Sequence, residues 1–222
     1  MGGKMSRVCI LGDIHSRWDI LNQFIEEVKP DIILQCGDFG IFPKFKNKRY
    51  NISNLQNRNT KIYFCDGNHS DHQYLKSIQN NEIAPNVFYM KRGSTLILPD
   101  GRTVLFMGGA NSIDKHLRTP GVDWFSEETI SQKDFYNLLS LDTRIDIVIS
   151  HTCPLEFDMH ESFPDGDFSR VALSEILRMY KPDRFFFGHW HNSLKGQHKN
   201  TEWTLLDECR NSFWWTVLDE KE

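Results

Sequence analysis

The chain has 222 residues, of which 39% are hydrophobic, with a formal net charge of -4 and five cysteines. This length predicts one domain over residues 1–222, and the net charge gives no overall attraction for polyanions. Apolar runs are far shorter than the ~20 residues of a membrane span, and residues 1–6 lack the apolar stretch of a signal peptide. We therefore expect a cytoplasmic protein without a membrane partner, which the odd number of cysteines without CxxC spacing also favours.

Five short apolar runs share one pattern: each is β-branched or aromatic, has the length of a strand and ends at a glycine or polar residue. These runs are residues 7–12, 32–37, 61–65, 145–149 and 184–188. Such runs are typical of buried strands.

Helical patterns lie between several of these runs. Trp18–Val28 carries an apolar stripe at helical spacing. Ser131 and Asp134 resemble a capping box for a helix that reaches about Leu141. Ser169 can cap a further helix that ends near residue 180. Strands that alternate with helices predict an α/β architecture with a largely parallel central sheet.

Two regions break this alternation. Residues 87–107 read as antiparallel strands with a turn at residues 99–101, and the tail reads as strands at residues 201–206 and 213–218. A second sheet packed against the first accommodates both regions.

Polar side chains follow each of the five apolar runs, where a strand reaches its carboxyl end. They are Asp13, His15, Asp38, Asn68, His69, His151, His189 and His191. Ligands of open α/β sheets bind beyond the carboxyl ends of the strands. One such residue is commonly a cap or a buried polar group, but five strand ends with the same chemistry predict a metal site.

The donor types narrow the metal. Imidazole nitrogens with carboxylate or amide oxygens, and no thiolate, favour manganese, with iron, zinc, cobalt or nickel as alternatives. Seven or eight ligands exceed the needs of one tetrahedral ion. Two divalent ions about 3.5–4 Å apart use them all, in the arrangement that serves in-line displacement at phosphorus.

These motifs together resemble the signature of the calcineurin-like metallophosphoesterases. The matching segments are Asp13-Ile14-His15, Gly37-Asp38, Gly67-Asn68-His69, His151 and Gly188-His189-Trp190-His191. The resemblance implies a four-layer α/β/β/α sandwich of two mixed sheets and the hydrolysis of phosphate mono- or diesters.

The resemblance also implies a role for each residue. Asp13, His15, Asp38 and His191 are placed around one metal ion, and Asn68, His151 and His189 around the other, with Asp38 bridging. His69 is implied as the general acid, and a hydroxide between the metals as the nucleophile.

The chain departs from the signature beside His69, where Ser70 replaces the usual acidic residue. Asp71 or Asp66 is then the candidate to orient His69, and we include Asp71 among the catalytic candidates. Arg118 is a candidate for gripping a phosphate oxygen, with a plain surface arginine as the alternative. The extended signatures of protein Ser/Thr phosphatases are absent.

A looser likeness links the chain to RNA lariat debranching enzymes. It covers residues 83–90, 107–109, 145–151 and the helix before Lys181-Pro182. Those enzymes commonly carry Cys where this chain has Asp13. The likeness favours, as an alternative, a nuclease or nucleotide phosphodiesterase. A non-catalytic scaffold is a further alternative.

Two loops bear on the substrate, which we expect to be a phosphate ester, with a nucleotide or nucleic acid as one option. Residues 42–50 mix basic and aromatic residues, which suits nucleic acid or nucleotide binding or else a solvated loop. An acidic stretch follows His151 and either borders the cleft or faces away; its residues are Glu156, Asp158, Glu161, Asp165 and Asp167. His72, His160 and His198 fit no strand-end pattern and are expected at the surface.

Overall fold

The computed structural model describes residues 6–45, 47–138, 141–159 and 167–219. Within these residues the strands are β1 (Val8–Leu11), β2 (Ile32–Gln35), β3 (Lys61–Phe64), β4 (Glu82–Ala84), β5 (Val87–Tyr89), β6 (Thr95–Ile97), β7 (Thr103–Met107), β8 (Ile147–Ser150), β9 (Arg184–Phe187), β10 (Leu194–His198), β11 (Thr201–Leu205) and β12 (Trp215–Val217). The α-helices are α1 (Trp18–Val28), α2 (His72–Ser77), α3 (Gln132–Leu138) and α4 (Phe168–Tyr180). No helix in this part of the chain has the length and apolarity that a membrane span requires.

The strands form two mixed sheets of six strands each. The first has the order β12-β1-β2-β3-β5-β4 and the second β10-β11-β9-β8-β7-β6. In each sheet four central strands run parallel, and one antiparallel strand lies at each edge. Parallel strands covered on both faces read as continuous apolar runs, which is the pattern seen in the sequence.

Successive side chains of the strands alternate between two cores. In β1, Val8 and Ile10 join Val104 and Phe106 of β7 in the core between the sheets. The alternate residues of β1 face outward: Cys9 and Leu11 pack in the core that contains α1. The outer face of the second sheet packs in the same way against α4. The predicted four-layer sandwich is confirmed, and all five cysteines are buried and form no disulfide.

Helix α1 has the predicted bounds because its apolar stripe and its stop signal agree. Trp18, Leu21 and Phe24 are buried. The helix ends where Lys29 adopts a left-handed conformation with φ of 51°. Pro30 follows and cannot continue the helix.

Helix α4 begins earlier than predicted. Its N-cap is Asp167, whose carboxylate accepts hydrogen bonds from the backbone N–H groups of Ser169 and Arg170 at 3.0 and 3.3 Å. The Ser169 hydroxyl instead accepts from the N–H of Ile130, 3.0 Å away. The prediction that Ser169 caps this helix was therefore wrong, since Asp167 offers a better acceptor two residues earlier.

The assignment of strands to sheets also differs from the prediction. The five runs do not share one central sheet, because β1, β2 and β3 lie in the first sheet and β8 and β9 in the second. The hairpin of β6 and β7 is confirmed, but β5 pairs parallel to β3 in the first sheet. Residues 87–107 and the tail are thus each divided between the two sheets. A local apolar pattern indicates a strand without indicating its partner.

Candidate metal centre

The two sheets bring the carboxyl ends of five strands to one place. Asp13 and His15 follow β1, Asp38 follows β2, Asn68 and His69 follow β3, His151 follows β8, and His189 and His191 follow β9. The predicted metal ligands therefore come from both sheets, and the site lies where the ends of the sheets meet.

Several of these residues have unusual backbone conformations. The φ angles of His15, Asp38, His189 and His191 are 48°, 51°, 76° and 45°. Positive φ is uncommon for residues other than glycine and costs on the order of 1–3 kcal/mol at each position. Such strain clusters at functional sites, where the surrounding structure enforces it.

Two glycines make room for the carboxylates. A Cβ atom added to Gly188 would overlap Oδ1 of Asp13, and one added to Gly67 would overlap Oδ1 of Asp38. Both glycines belong to the motifs recognised in the sequence, and their role here is close approach of the backbone to an acidic side chain.

The first group of possible ligand atoms surrounds Oδ2 of Asp13. Nε2 of His191 lies 3.3 Å from this oxygen and Nε2 of His15 lies 3.7 Å from it. Asp13 is 1% exposed, and no described residue donates a hydrogen bond of normal geometry to Oδ2. A buried carboxylate oxygen without a donor is costly, and a bound cation would satisfy it.

The second group consists of Asp13, Asp38 and His151, all fully or nearly fully buried. Nε2 of His151 lies 3.3 Å from Oδ2 of Asp38 and 2.9 Å from Oδ1 of Asn68. Its Nδ1 donates to the carbonyl of Cys36, 2.8 Å away. A hydrogen bond of this kind fixes the imidazole and leaves Nε2 to bind a metal. The donor set thus fits two adjacent divalent ions.

Burial and neighbouring charges shift the pKa values of the buried acids and histidines at this site. Burial alone would raise the pKa of Asp38, but His151 and His69 outweigh it and hold this pKa well below its usual range. Burial lowers the pKa of His151, but Asp38 and Asp13 outweigh it and raise this pKa to about 9. Burial, together with His151, lowers the pKa of His189 well below its usual value.

Asn68 is held by two residues that the sequence did not indicate. Its Nδ2 donates to Oγ of Ser112 at 3.1 Å, and that hydroxyl donates to Glu128 at 2.8 Å. Glu128 also accepts from the backbone N–H of Ser112 at 2.7 Å. This series of hydrogen bonds turns Oδ1 of Asn68 toward His151. Ser112 and Glu128 lie in the long interval before His151, where no motif marks them.

His189 lies outside the two groups of ligand atoms just described. Its ring centroid is 4.9 Å from that of His151, and its backbone N–H donates to Oδ1 of Asp13 at 3.1 Å.

His69 faces Arg118. Nη2 of Arg118 lies 2.5 Å from Nε2 of His69, so the guanidinium donates to an unprotonated ring nitrogen. Arg118 also pairs with Asp114, with nitrogen and oxygen 2.7 Å apart. Burial lowers the pKa of His69, and Arg118 adds to this while Asp38 opposes it.

The two acids considered as partners of His69 are engaged elsewhere. Asp71 is the N-cap of α2, accepts from the N–H of Tyr74 at 3.2 Å and lies 3.5 Å from Nζ of Lys44. Asp66 forms a buried ion pair with Arg92. Among the described residues, no hydrogen bond joins either acid to His69.

A cleft of about 550 Å³ borders two of the predicted ligands, His15 and His191. It is lined by the histidines His15, His69 and His191, by Phe42, Phe45, Tyr50 and Leu117, and by Arg49, Arg118, Arg210, Asp114, Asp123 and Glu208, with Ser16 and Gly40. The rings of Phe42 and Phe45 stack with centroids 5.4 Å apart, and Tyr50 packs 5.3 Å from Phe45. The loop of residues 42–50, apart from residue 46, thus forms a wall of the cleft.

The remaining predictions have mixed outcomes. The prediction that His72 is at the surface was wrong: it is 4% exposed, and its Nε2 lies 3.1 Å from the carbonyl of Gly67. His198 is half-buried on β10. In the acidic stretch, Glu156 accepts from Ser174, and Asp167 caps α4. His160, Glu161 and Asp165 lie outside the described residues.

Comparison with known proteins identifies the class. The chain matches the calcineurin-like phosphoesterases over residues 6–193 and belongs to that family. It is similar to the lariat debranching enzyme of Schizosaccharomyces pombe, with 27% identity over 88% of this chain and 50% of the relative. The chain spans about half the length of the curated relatives it matches.

Two solved structures have a similar fold. A dimetal phosphatase from Danio rerio has 14% identity and a TM-score of 0.56, over 92% of this chain and 88% of that one. The phosphopantetheinyl hydrolase of Mycobacterium tuberculosis has 14% identity and a TM-score of 0.55, over 97% of this chain and 96% of that one. At this identity the likeness establishes the fold alone.

Proposed function

We propose that this protein is a metal-dependent phosphoesterase that hydrolyses phosphate mono- or diesters with two divalent ions. The observation that carries the proposal is the convergence of Asp13, His15 and His191, and of Asp13, Asp38 and His151, with ligand atoms of each group within 4.8 Å of one another. Two members of the first group, His15 and His191, line a cleft with room for a small molecule.

The ligands divide between the two ions as the family signature suggests. Asp13, His15, Asp38 and His191 would hold one ion, and Asn68, His151 and His189 the other. Manganese suits this donor set best among the candidate metals. When bound, such ions activate water and offset negative charge on the phosphoryl oxygens.

Protein side chains would supply the rest of the chemistry. His69 lines the cleft and is the candidate to protonate the leaving oxygen. Its Nε2 is occupied by Arg118 in this structure. We infer that a phosphate oxygen of the substrate draws the Arg118 guanidinium to itself, which frees Nε2 of His69 to carry and donate a proton.

A second candidate is a phosphodiesterase that acts on nucleotides or nucleic acid. The aromatic wall of Phe42, Phe45 and Tyr50, with Arg49 beside it, supports this candidate because bases stack on aromatic rings. The likeness to debranching enzymes supports it as well. A non-catalytic scaffold stays an alternative, although the chain keeps the whole ligand set and His69.

The test is hydrolysis by the purified protein of p-nitrophenyl phosphate and of bis-p-nitrophenyl phosphate. We expect turnover with Mn²⁺, none with EDTA, and loss of metal binding and turnover in Asp38→Asn. The matched control is Asp142→Asn, which changes an exposed acid outside the site. Two bound ions without hydrolysis of these esters or of any nucleotide ester would contradict the proposal and favour the scaffold.

A further inference from the structure

A second groove adjoins the metal cleft. It has a volume of about 630 Å³ and is lined by Ser16, Arg17, Trp18, Asp19, Asn22, Lys48, Arg49, Asn54 and Arg210. Ser16, Arg49 and Arg210 line both the groove and the cleft, so the two spaces lie side by side. Each is within the range of about 300–1,000 Å³ that is usual for one small ligand. A ligand that filled both would therefore be longer than a single nucleotide.

The charge of the groove is opposite to that of the whole chain. Four cationic side chains line it, Arg17, Lys48, Arg49 and Arg210, against one carboxylate, that of Asp19. The chain as a whole has a formal net charge of -4. Cations concentrated in a concave surface of an acidic protein indicate an anionic ligand.

The cations differ in how far they are already neutralised. Arg17 pairs with Asp19 at 2.8 Å, and Arg210 with Glu208 at 2.7 Å. Arg49 donates to the carbonyl of His15 at 3.0 Å, which is a neutral acceptor. Within the described part of the chain, neither Lys48 nor Arg49 forms an ion pair with a carboxylate. The positive charges of Lys48, in the groove, and Arg49, which lines both spaces, are thus available to a ligand.

The segment that carries these two charges has a defined shape. Asn47 accepts from the N–H of Arg49 at 3.0 Å, and Nδ2 of Asn54 donates to the carbonyl of Lys48 at 2.7 Å. Asn22 in turn donates to the carbonyl of Asn54 at 2.8 Å. These bonds use the backbone of Lys48 and leave its ammonium exposed, which is the arrangement needed for contact with a phosphate.

We propose that the groove binds a further phosphate of the substrate whose scissile phosphate lies at the metal centre, so that the substrate is a single-stranded oligonucleotide. The proposal rests on the proposed function. The aromatic wall of Phe42, Phe45 and Tyr50 stands at the cleft, where a base beside the scissile phosphate can stack. The strand then continues past Arg49 and Arg210 to Lys48.

A binding measurement without metal tests the groove apart from catalysis. A fluorescein-labelled oligonucleotide of about ten residues is titrated in EDTA with wild type, Lys48→Gln and Lys48→Glu, and affinity is followed by fluorescence anisotropy. Lys48→Gln should weaken binding about threefold to tenfold, and the salt dependence should fall by about 0.7 in slope, the value for one lost contact to a single strand. Lys48→Glu should weaken it further.

Lys133→Gln is the matched control, because Lys133 is equally exposed but lies on α3, beside the core of the second sheet. It should bind the oligonucleotide as wild type does. Equal affinities and salt slopes for the Lys48 and Lys133 variants would overturn the proposal.

Hydrolysis separates this proposal from the proposed function. With Mn²⁺, the ratio of kcat/KM for the oligonucleotide to kcat/KM for bis-p-nitrophenyl phosphate should fall in Lys48→Gln and stay constant in Lys133→Gln. If the protein hydrolyses the small diester but cleaves no oligonucleotide, the result contradicts the groove proposal and leaves the proposed function intact. Failure to hydrolyse the oligonucleotide, bis-p-nitrophenyl phosphate and p-nitrophenyl phosphate, with the binding difference intact, would contradict the proposed function and leave the groove as an oligonucleotide site.

Discussion

Asp13 takes part in both groups of possible metal ligands. Its Oδ2 faces the imidazoles of His15 and His191, while its Oδ1 accepts from the backbone of His189 and lies 3.8 Å from Nδ1 of His151. One buried carboxylate thus contacts residues from both sheets. The family signature assigns the bridging position to Asp38, but the geometry without metal gives Asp13 an equally central place.

His69 offers the sharpest test of mechanism at the residue scale. In His69→Ala we expect both metal ions to remain bound and the hydrolysis of esters with poor leaving groups to slow by about 100- to 10,000-fold, the usual contribution of general acid catalysis. Esters of p-nitrophenol should lose much less, since that leaving group needs little protonation. Steady-state kinetics on alkyl and p-nitrophenyl esters checks this, and equal losses on both would argue against the role.

Ser112 is expected to act through Asn68. Ser112→Ala removes the acceptor of the Asn68 amide and leaves buried Glu128 without the Ser112 hydroxyl. Because residues that orient metal ligands are typically worth about 10- to 100-fold in affinity, we expect a loss of this size for the ion that Asn68 would hold. Calorimetric titration with Mn²⁺ checks it. Ser126→Ala, in the same segment, should bind like wild type.

The sequence identified the site residues that strand ends place, and it missed those that the tertiary structure places. His151 and His189 could be predicted because each directly follows a buried apolar run, at the edge where parallel strands deliver their ligands. Ser112 and Glu128 follow no strand pattern, and the hydrogen bonds that link Glu128 through Ser112 to Asn68 depend on the path of a long loop. Asp71 illustrates the converse: its position next to the motif suggested contact with His69, while in the structure it caps α2.

At the scale of single elements, α4 depends on its cap. Asp167→Ala removes the acceptor for two backbone N–H groups, and we expect the free energy of unfolding to fall by about 1 kcal/mol, within the range of 0.5–2 kcal/mol known for caps. Urea denaturation checks the value. Glu175→Ala removes a partly exposed acid of the same helix, paired with Arg178 at the surface, and should change the free energy by less than about 0.5 kcal/mol.

Whether a segment forms a helix or a strand could be predicted more securely than which strands pair with one another. Helix α1 was predicted with its observed bounds from its apolar stripe at helical spacing. The polar strand β10 was missed, since Leu194–His198 has little apolar content and lies at a sheet edge. Pairing across sheets depends on contacts distant in sequence, which periodicity does not encode.

Arg92 joins distant parts of the molecule. Its guanidinium donates to Asp66, after β3, to Asp134 of α3, and to the backbone carbonyls of Glu127, Glu128 and Thr129. Its side chain is 9% exposed and that of Asp66 is 1% exposed. The first sheet and α3, which packs in the core beside the second sheet, are thereby joined by one network of charged side chains.

Replacing Arg92 should therefore destabilise the whole fold. Arg92→Met leaves Asp66 buried and unpaired, and we expect a loss of about 3–5 kcal/mol, measured by denaturation in EDTA. Asp66→Asn in the Arg92→Met background should recover part of it. Full additivity of the two substitutions would contradict a direct pairing.

The same ion pair predicts a dependence on pH. Burial would raise the pKa of Asp66, but Arg92 outweighs it and the folded pKa lies below the usual value. The stability that the pair contributes is therefore present above the unfolded pKa of about 3.9 and is lost as pH falls through the folded pKa. The difference in unfolding free energy between wild type and Arg92→Met should shrink as the pH falls toward the folded pKa of Asp66 in wild type.

The metal centre has a consequence for the cohesion of the molecule as a whole. Four of the predicted ligands follow strands of the first sheet and three follow strands of the second. Ions bound there would act as a removable cross-link across the seam between the sheets, so opening the sandwich would require breaking coordination. Mn²⁺ at 100 times its Kd should raise the free energy of unfolding by about 2.7 kcal/mol per ion in wild type and by much less in Asp38→Asn. The ions would then keep the two halves of the sandwich together as well as serve the chemistry at their common edge.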